Sequence, residues 1–412
     1  MVVERVGIIG GGVAGCCLAI SLSRIGIKSV VYDLRTSSEY MGGALALAPN
    51  APRVLDRLKI YEPIRDRGFS FVNLDFVDIS GWTVGTWAYG GPQFGGYSAL
   101  RVKRSVVLQN FVEMCEMTND VEFKYECKVQ LVTEDKEAAY IHLADGTTER
   151  FPLIIGADGL HSRVRDHIYG GKAPQPQYQG ITSVRAVIPK DLINFPTKDF
   201  PLPSMIFGQK GSFGLFPPDP EGQQVGWFSQ FEIPEPTRNE VEDFRLNKAV
   251  PMLKQHYKDW PEPVYSIVQN CLPNDISMWV QYSAPIVDKW YTNRVIIIGD
   301  AAHAIPPSGG QGAAQAMEDA ALLARYIEEN REFFDQQQFS KLFAPFQATR
   351  QKRLDLVREL TKTSGDTRKP AGYLEWIVKK YSMWLFLKFG GNRSATLYNY
   401  DVAAENVKVK WV

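Results

Sequence analysis

Residues 5–33, RVGIIGGGVAGCCLAISLSRIGIKSVVYD, constrain the fold more than any other stretch. Residues 6–9 are a short apolar run of the kind that forms a strand buried on both faces. Gly10-x-Gly12-x-x-Gly15 follows, then a helix pattern with Leu18, Leu22 and Ile25 on one face and Gly26 as its stop. A second strand over 29–32 ends on Asp33. Together these make a βαβ unit with a dinucleotide fingerprint in the right context. Gly10 permits the tight turn, Gly12 lets the backbone approach a pyrophosphate, and Gly15 lets helix and strand pack closely. Val13, Ala14 and Gly15 open the helix, so their free N–H groups and the positive end of its dipole face the phosphates. Asp33, 21 positions after Gly12, stands where a carboxylate accepts from ribose hydroxyls. Arg35 reads equally as an adenosine contact or a solvated charge. The fingerprint does not choose between NAD and FAD.

The rest of the chain alternates in character. Residues 42–68 start small and become an amphipathic helix with Val54, Leu55, Leu58 and Ile64 as candidate core. Strand-like stretches run from 71 to 87, and residues 98–116 resume a helix. Short strands follow over 121–143, with Ala144-Asp-Gly-Thr147 as a hairpin turn. Residues 151–168 form another strand, which leaves into Gly156-Ala157-Asp158-Gly159 and a basic helix. From 176 to 285, Pro and aromatics rise and strands alternate with turns, the pattern of an antiparallel sheet, interrupted by helices near 240–257 and 262–270. At Arg294 the buried-strand character returns, in RVIIIGDAAHAIPPSGGQGAAQAMEDAA.

With 412 residues, the length admits two or more domains. The expected class is α/β: a discontinuous, Rossmann-like nucleotide-binding domain over 1–75, 97–175 and 286–362, a mainly antiparallel β substrate domain over 76–96 and 176–285, and a C-terminal helical, aromatic tail over 363–412. Lys+Arg and Asp+Glu both total 46, which removes any electrostatic case for nucleic acid. The five cysteines show no metal-ligand spacing and an odd count, so no metal and no disulfide framework is expected, and reduced thiols point to a cytoplasmic setting. A strand begins at once, so no signal peptide is expected. Residues 372–390 are the most membrane-like, but Glu375, Lys379 and Lys380 interrupt them, so no integral segment is expected. Packing of that aromatic helix on the body or on a partner is favoured over peripheral membrane contact, which stays open. The sequence is silent on oligomeric state.

Three motifs stand in order: Gly10-x-Gly12-x-x-Gly15, GADGLHSRVR and RVIIIGDAAHAIPPSGGQG. Together they closely resemble the single-component, FAD-dependent aromatic hydroxylases of the salicylate hydroxylase and para-hydroxybenzoate hydroxylase type. GGALALAPNAPRVLDRL, with Gly43 and Ala44, and ALRVKRSVVL are also similar to that family, and the likeness reaches about Arg358. The resemblance implies FAD as cofactor and NADPH or NADH as co-substrate. It implies that Asp300, after Gly299, binds the ribityl chain, and that Pro306, Gly309, Gly310, Gln311, Gly312 and Ala313 run along the flavin ring. Asp158 would serve FAD and the nicotinamide. Arg163 and Arg165 read equally as nicotinamide-phosphate contacts or surface charges. Arg104 would lie near FAD, with Arg101 the alternative register. The family usually has Glu where this chain has Asp33, which leaves only fine geometry in question.

The activity so implied is hydroxylation of an aromatic or other electron-rich small molecule, secondary metabolites among them, by NAD(P)H and dioxygen through a flavin C4a-hydroperoxide. Epoxidation and Baeyer–Villiger oxidation are open to the same chemistry. A reductase or dehydrogenase that does not use oxygen is the enzyme alternative, and a flavoprotein scaffold the non-enzymatic one. No catalytic base is assigned. Arg185 and His303 are the catalytic candidates, although His303 in the GDAAH turn reads first as structural. Phe207, Phe216 and Trp227 are pocket candidates by strand position, with Phe213 and Phe231 behind them; sheet core is the competing reading for each.

Overall fold

The computed structural model describes residues 3–36, 43–284, 287–305, 309–362, 371–389 and 393–409. Five short parallel strands organise it, in the order Val295–Ile297, Ile154–Gly156, Arg5–Ile9, Lys28–Tyr32 and Val121–Lys124. Ile8, Val30, Ile155 and Ile296 expose no surface, which is why these strands read as unbroken apolar runs. Ile9 pairs with both Tyr32 and Gly156, and Gly156 with Ile297, so neighbouring strands end level. The three motifs therefore leave the same edge of one sheet, although nearly 300 residues separate the first from the last.

Helix Val13–Ser23 packs between helices Arg104–Glu116 and Gly312–Glu329. Everything from Val13 to Leu22 is buried, not only the face carrying Leu18 and Leu22, because the helix is covered on several sides. The stretch expected to resume a helix at 98 begins as the strand Ala99–Lys103. Leu100 and Val102 alternate inward there, and the strand is held between Ala44–Leu47 and Phe69–Phe71 in a small antiparallel sheet.

A seven-stranded sheet runs Ser277–Ser283, Gln177–Pro189, Gln224–Glu232, Gly211–Phe216, Ser204–Gly208, Asn73–Asp78, Thr83–Ala88. All its pairings are antiparallel except Ser204–Gly208 with Asn73–Asp78. The sheet takes its strand from Asn73 rather than from 76. Helices Ala249–His256 and Val264–Gln269 cover one face, closing a second core around Phe213, Trp227, Tyr257 and Ile267.

The C-terminal segment is part of the body. Helix Tyr373–Phe389 lies on strand Thr83–Ala88, with Phe386 stacked on Trp87 and Lys380 paired with Asp78. Further on, Tyr398 packs on Tyr89 and Phe94, and Val402 and Val407 enter the first core. The outer face of helix Tyr373–Phe389 still exposes Leu374, Val378, Leu385 and Phe389. Among the described residues, no helix is long and apolar enough to cross a membrane.

Candidate functional site

Gly10 adopts φ +105°, and a side chain there would run into the Ala157 carbonyl and the Asp158 backbone. The first turn and the GADG loop thus touch through bare backbone. A Cβ on Gly15 would strike the Gly10 carbonyl oxygen, while one on Gly12 would meet nothing within 4 Å. Gly12 precedes helix Val13–Ser23 with no side-chain cap, so the first-turn N–H groups open toward that space. Gly299 packs against Ala14, which brings the third motif to the same helix end.

Asp33 accepts from the Gly11 N–H at 2.9 Å, the Arg35 N–H at 2.9 Å and the Arg35 guanidinium at 2.5 and 3.0 Å. Burial raises its carboxyl, but these bonds outweigh it and hold the group below the usual carboxylate range. Arg35 also donates to the Gly11 carbonyl at 3.0 Å. It is a clamp on the turn rather than a solvated charge.

Asp158 caps the helix that follows it. It accepts from Ser162 Oγ at 2.5 Å and from the Arg163 and Val164 N–H groups at 2.7 and 3.2 Å. Burial nevertheless keeps its carboxyl above the ordinary value. Arg165 fits neither reading given to it. It is 1% exposed and donates to the carbonyls of Ala301 at 2.9 Å and Leu160 at 2.6 Å, bolting the second motif to the third. Arg163 is exposed, 3.6 Å from Asp166.

Asp300 opens the short helix Asp300–His303 at the sheet edge, exposed and with no hydrogen-bond partner among the described residues. Behind it lies a buried network that the sequence reading did not single out. Asp319 accepts from the Gly299 N–H at 2.7 Å, His303 Nε2 at 2.5 Å and Arg350 Nε at 2.6 Å. Glu318 is held by Arg350, Arg353 and Asn50, and Asn50 also reaches Gln311 at 3.0 Å. His303 is therefore spent on positioning the turn: it is 2% exposed, bonded to Asp319, with Trp290 5.4 Å away. The signal available in sequence was two adjacent acids inside an otherwise buried, alanine-rich helix.

Pro306 lies outside the described residues. Of the loop glycines, Gly312 faces open space and Gly310 looks toward the Ala46 carbonyl oxygen, 4.0 Å from where a Cβ would stand, whereas Gly309 is pressed on Thr361 of helix Phe339–Lys362. Gln311 is fully buried, and its Nε2 has no partner. Helix Gly312–Glu329, in which Ala313 stands second, begins without a side-chain cap.

The seven-stranded sheet meets this edge along a seam. Residues paired across strands share a face, so Met205, Gly214, Phe228 and Arg185 lie on one face and Ala186, Leu215 and Trp227 on the other. Trp227 stacks on Phe213 in the core beneath the helices, and Phe231 meets His256 and Tyr257 edge to face at the margin of that core. These are core side chains, one residue out of step with the seam. Phe207 and Phe216 are on the seam face, stacked on Phe76 and Phe228. Arg185 crosses to Gly43, where a Cβ would lie 2.6 Å from its guanidinium carbon. Gly43 in turn accepts from the Arg104 N–H at 2.9 Å and leads into strand Ala44–Leu47. Burial and the charge of Arg35 lower the Arg104 guanidinium, while Asp300 raises it.

Residues 4–331 match the family model described as an FAD binding domain. The chain belongs to that family. Its curated relatives include the 3-amino-4-hydroxybenzoate 2-monooxygenase PtmB3 of Streptomyces platensis, 28% identical over 78% of each chain. The 6-hydroxynicotinate 3-monooxygenase of Bordetella bronchiseptica is 25% identical over 79% of this chain and 83% of that one. Among solved structures, a salicylate hydroxylase substrate complex shares the fold with a TM-score of 0.78 at 19% identity, over 97% of this chain and 96% of that one. Klebsiella pneumoniae HpxO complexed with FAD and uric acid does so at 0.77 and 20%, over 96% of this chain and 97% of that one. As a member of the FAD binding domain family the chain takes FAD, and its residues fit one. The uncapped helix end beside Gly12, the unpartnered Asp300 and the buried Gln311 amide all sit at one sheet edge, short of the partners a flavin nucleotide supplies.

Proposed function

We propose that the chain is an FAD-dependent monooxygenase that uses NAD(P)H and dioxygen to hydroxylate an electron-rich aromatic molecule. The observation that carries this reading is the meeting of three backbone-tight motifs at one sheet edge with the aromatic face of a second sheet. When bound, FAD supplies the redox chemistry, hydride acceptance from the nicotinamide and activation of dioxygen. The chain's own residues bind and orient. Val13, Ala14 and Gly15 offer N–H groups to the phosphates, and Asp33 with Arg35 frames the nucleotide end. Asp300 accepts from the ribityl hydroxyls, while Gly310 and Gly312 admit the ring. Arg104 and Asp158 complete the surroundings of the cofactor. Phe207 and Phe216 offer an aromatic substrate a flat apolar face, with Arg185 at its edge. Helix Tyr373–Phe389 covers the same sheet at Gly85 and Trp87 and excludes water from that side.

The division into a nucleotide domain over 1–72, 97–175 and 286–362 and a substrate domain over 73–96 and 176–285 belongs to this reading, supported by which strands join which sheet. So does a cytoplasmic setting, supported by the need for a reduced nicotinamide. Asp300→Ala tests the site. The side chain is exposed, so the variant is expected to fold with unchanged thermal stability and to lose FAD on gel filtration; normal flavin loading rejects the role.

A further inference from the structure

At the opposite edge of the parallel sheet from the three motifs, a cavity of about 220 Å³ opens between strand Val295–Ile297 and the start of helix Phe339–Lys362. Lys136, Asn293, Arg294, Gln337, Phe339 and Ser340 line it. Arg294 stands just before the strand and Asp300 follows its far end, so the length of the sheet separates this cavity from the flavin edge. The volume falls below the roughly 300–1,000 Å³ of sites for drug-sized ligands, so an occupant is small.

The lining carries two cations and no acid. Arg294 is 8% exposed, with its guanidinium over the ring of Phe339 at 6.0 Å. It donates to the Lys136 carbonyl from Nε at 3.2 Å and Nη2 at 2.6 Å, and from Nη1 to the Pro152 carbonyl at 3.1 Å and Gln337 Oε1 at 2.7 Å. All of these acceptors are neutral, whereas buried Arg350 and Arg353 face Glu318 and Asp319. Glu134 is turned to the Arg294 backbone N–H at 2.8 Å and to His167 at 3.5 Å, not to the guanidinium. These bonds leave one Nη2 N–H of the fork unused. Around it, Lys136 Nζ, the Asn293 amide and Ser340 Oγ are exposed and spent on no hydrogen bond among the described residues. Phe339 and Ser340 open a 24-residue helix, whose positive end adds to the same sign.

Donors from three separate segments of the chain thus surround one small space, behind them a buried charge with no counter-charge. A carboxylate offers two oxygens to such a set and a phosphate group three, so the phosphate satisfies more of it. The geometry points to an anion site apart from the flavin edge, at which Arg294, Lys136 and Ser340 hold the phosphate group of a small phosphorylated ligand.

Inorganic phosphate is the probe. It is titrated calorimetrically, near neutral pH and at constant ionic strength, into the FAD-loaded protein, whose dinucleotide site is then already filled. Saturable binding of one phosphate per chain is expected, at about 1 mM or tighter. Acetate is expected to bind at least about 10-fold more weakly, since it leaves charged donors unmet. Lys136→Glu and Ser340→Asp alter exposed side chains and bring negative charge to the rim. Each is expected to keep FAD content and melting temperature and to weaken phosphate at least about 10-fold, the loss of one charge-assisted hydrogen bond. The assignment is overturned if no saturable heat appears by about 20 mM phosphate, if acetate binds as tightly as phosphate, or if either variant keeps the wild-type phosphate affinity.

Discussion

A methyl group added at Gly15 meets the Gly10 carbonyl, whereas one added at Gly12 meets nothing. The two glycines of one fingerprint therefore serve different ends, one the fold and the other the ligand. Gly15→Ala is expected to destabilise the chain by about 3 kcal/mol, the upper range for overpacking a tight contact, seen as a lowered melting temperature with or without FAD. Gly12→Ala is expected to melt normally as the apoprotein and to bind FAD at least 10-fold more weakly. Equal melting of the two variants would show that the turn is looser than its contacts imply. The fingerprint was legible because each glycine answers a backbone demand local to the turn. The fate of Arg35 and Arg165 was not, because a charge beside a motif reads the same whether it faces phosphate, solvent or a carbonyl 136 residues away.

At the scale of elements, helix Gly312–Glu329 shows what periodicity hides. It reads as an alanine-rich packing helix, and most of it is, yet Glu318 and Asp319 stand on buried turns. Their partners Arg350 and Arg353 come from helix Phe339–Lys362, more than thirty residues on, so local sequence gave no sign of the pairing. Removing one charge strands the others. Arg350→Met is expected to cost about 3–5 kcal/mol at pH 7, the usual penalty for breaking a buried ion pair. Burial raises both carboxyls, but Arg353 and Arg350 around Glu318, and His303 and Arg350 around Asp319, outweigh it and hold both below their ordinary values. Carboxyls depressed in the folded state stabilise it fully above the unfolded pKa, near 4, and lose that contribution as pH falls through the folded pKa. The Arg350→Met penalty should therefore shrink below about pH 4, where protonated acids no longer need the guanidinium. Urea melts at pH 7 and pH 3.5 check this; a constant difference would remove the network from the stability account.

At the scale of the molecule, the parallel sheet, the inserted antiparallel sheet and the return at Arg294 were readable from the change between unbroken and alternating apolar runs. Which face of the inserted sheet meets the first was not. That parity places Phe216 on the seam and Trp227 in the core, and one residue of register decides it. Nor was the place of the C-terminal helix readable, because its docking is set by Gly85, bare enough for Leu387 to sit against it. Gly85→Leu is expected to displace that helix, leaving FAD content unchanged and weakening substrate binding at least 10-fold; unaltered binding would separate the helix from the site. The central claim is oxygen transfer at this seam. Its most direct test is turnover of an aromatic substrate by the FAD-loaded protein with NAD(P)H under labelled dioxygen, followed by product mass. The account predicts one labelled oxygen atom in the product for each NAD(P)H consumed. NAD(P)H oxidation with the label absent from every organic product would contradict it.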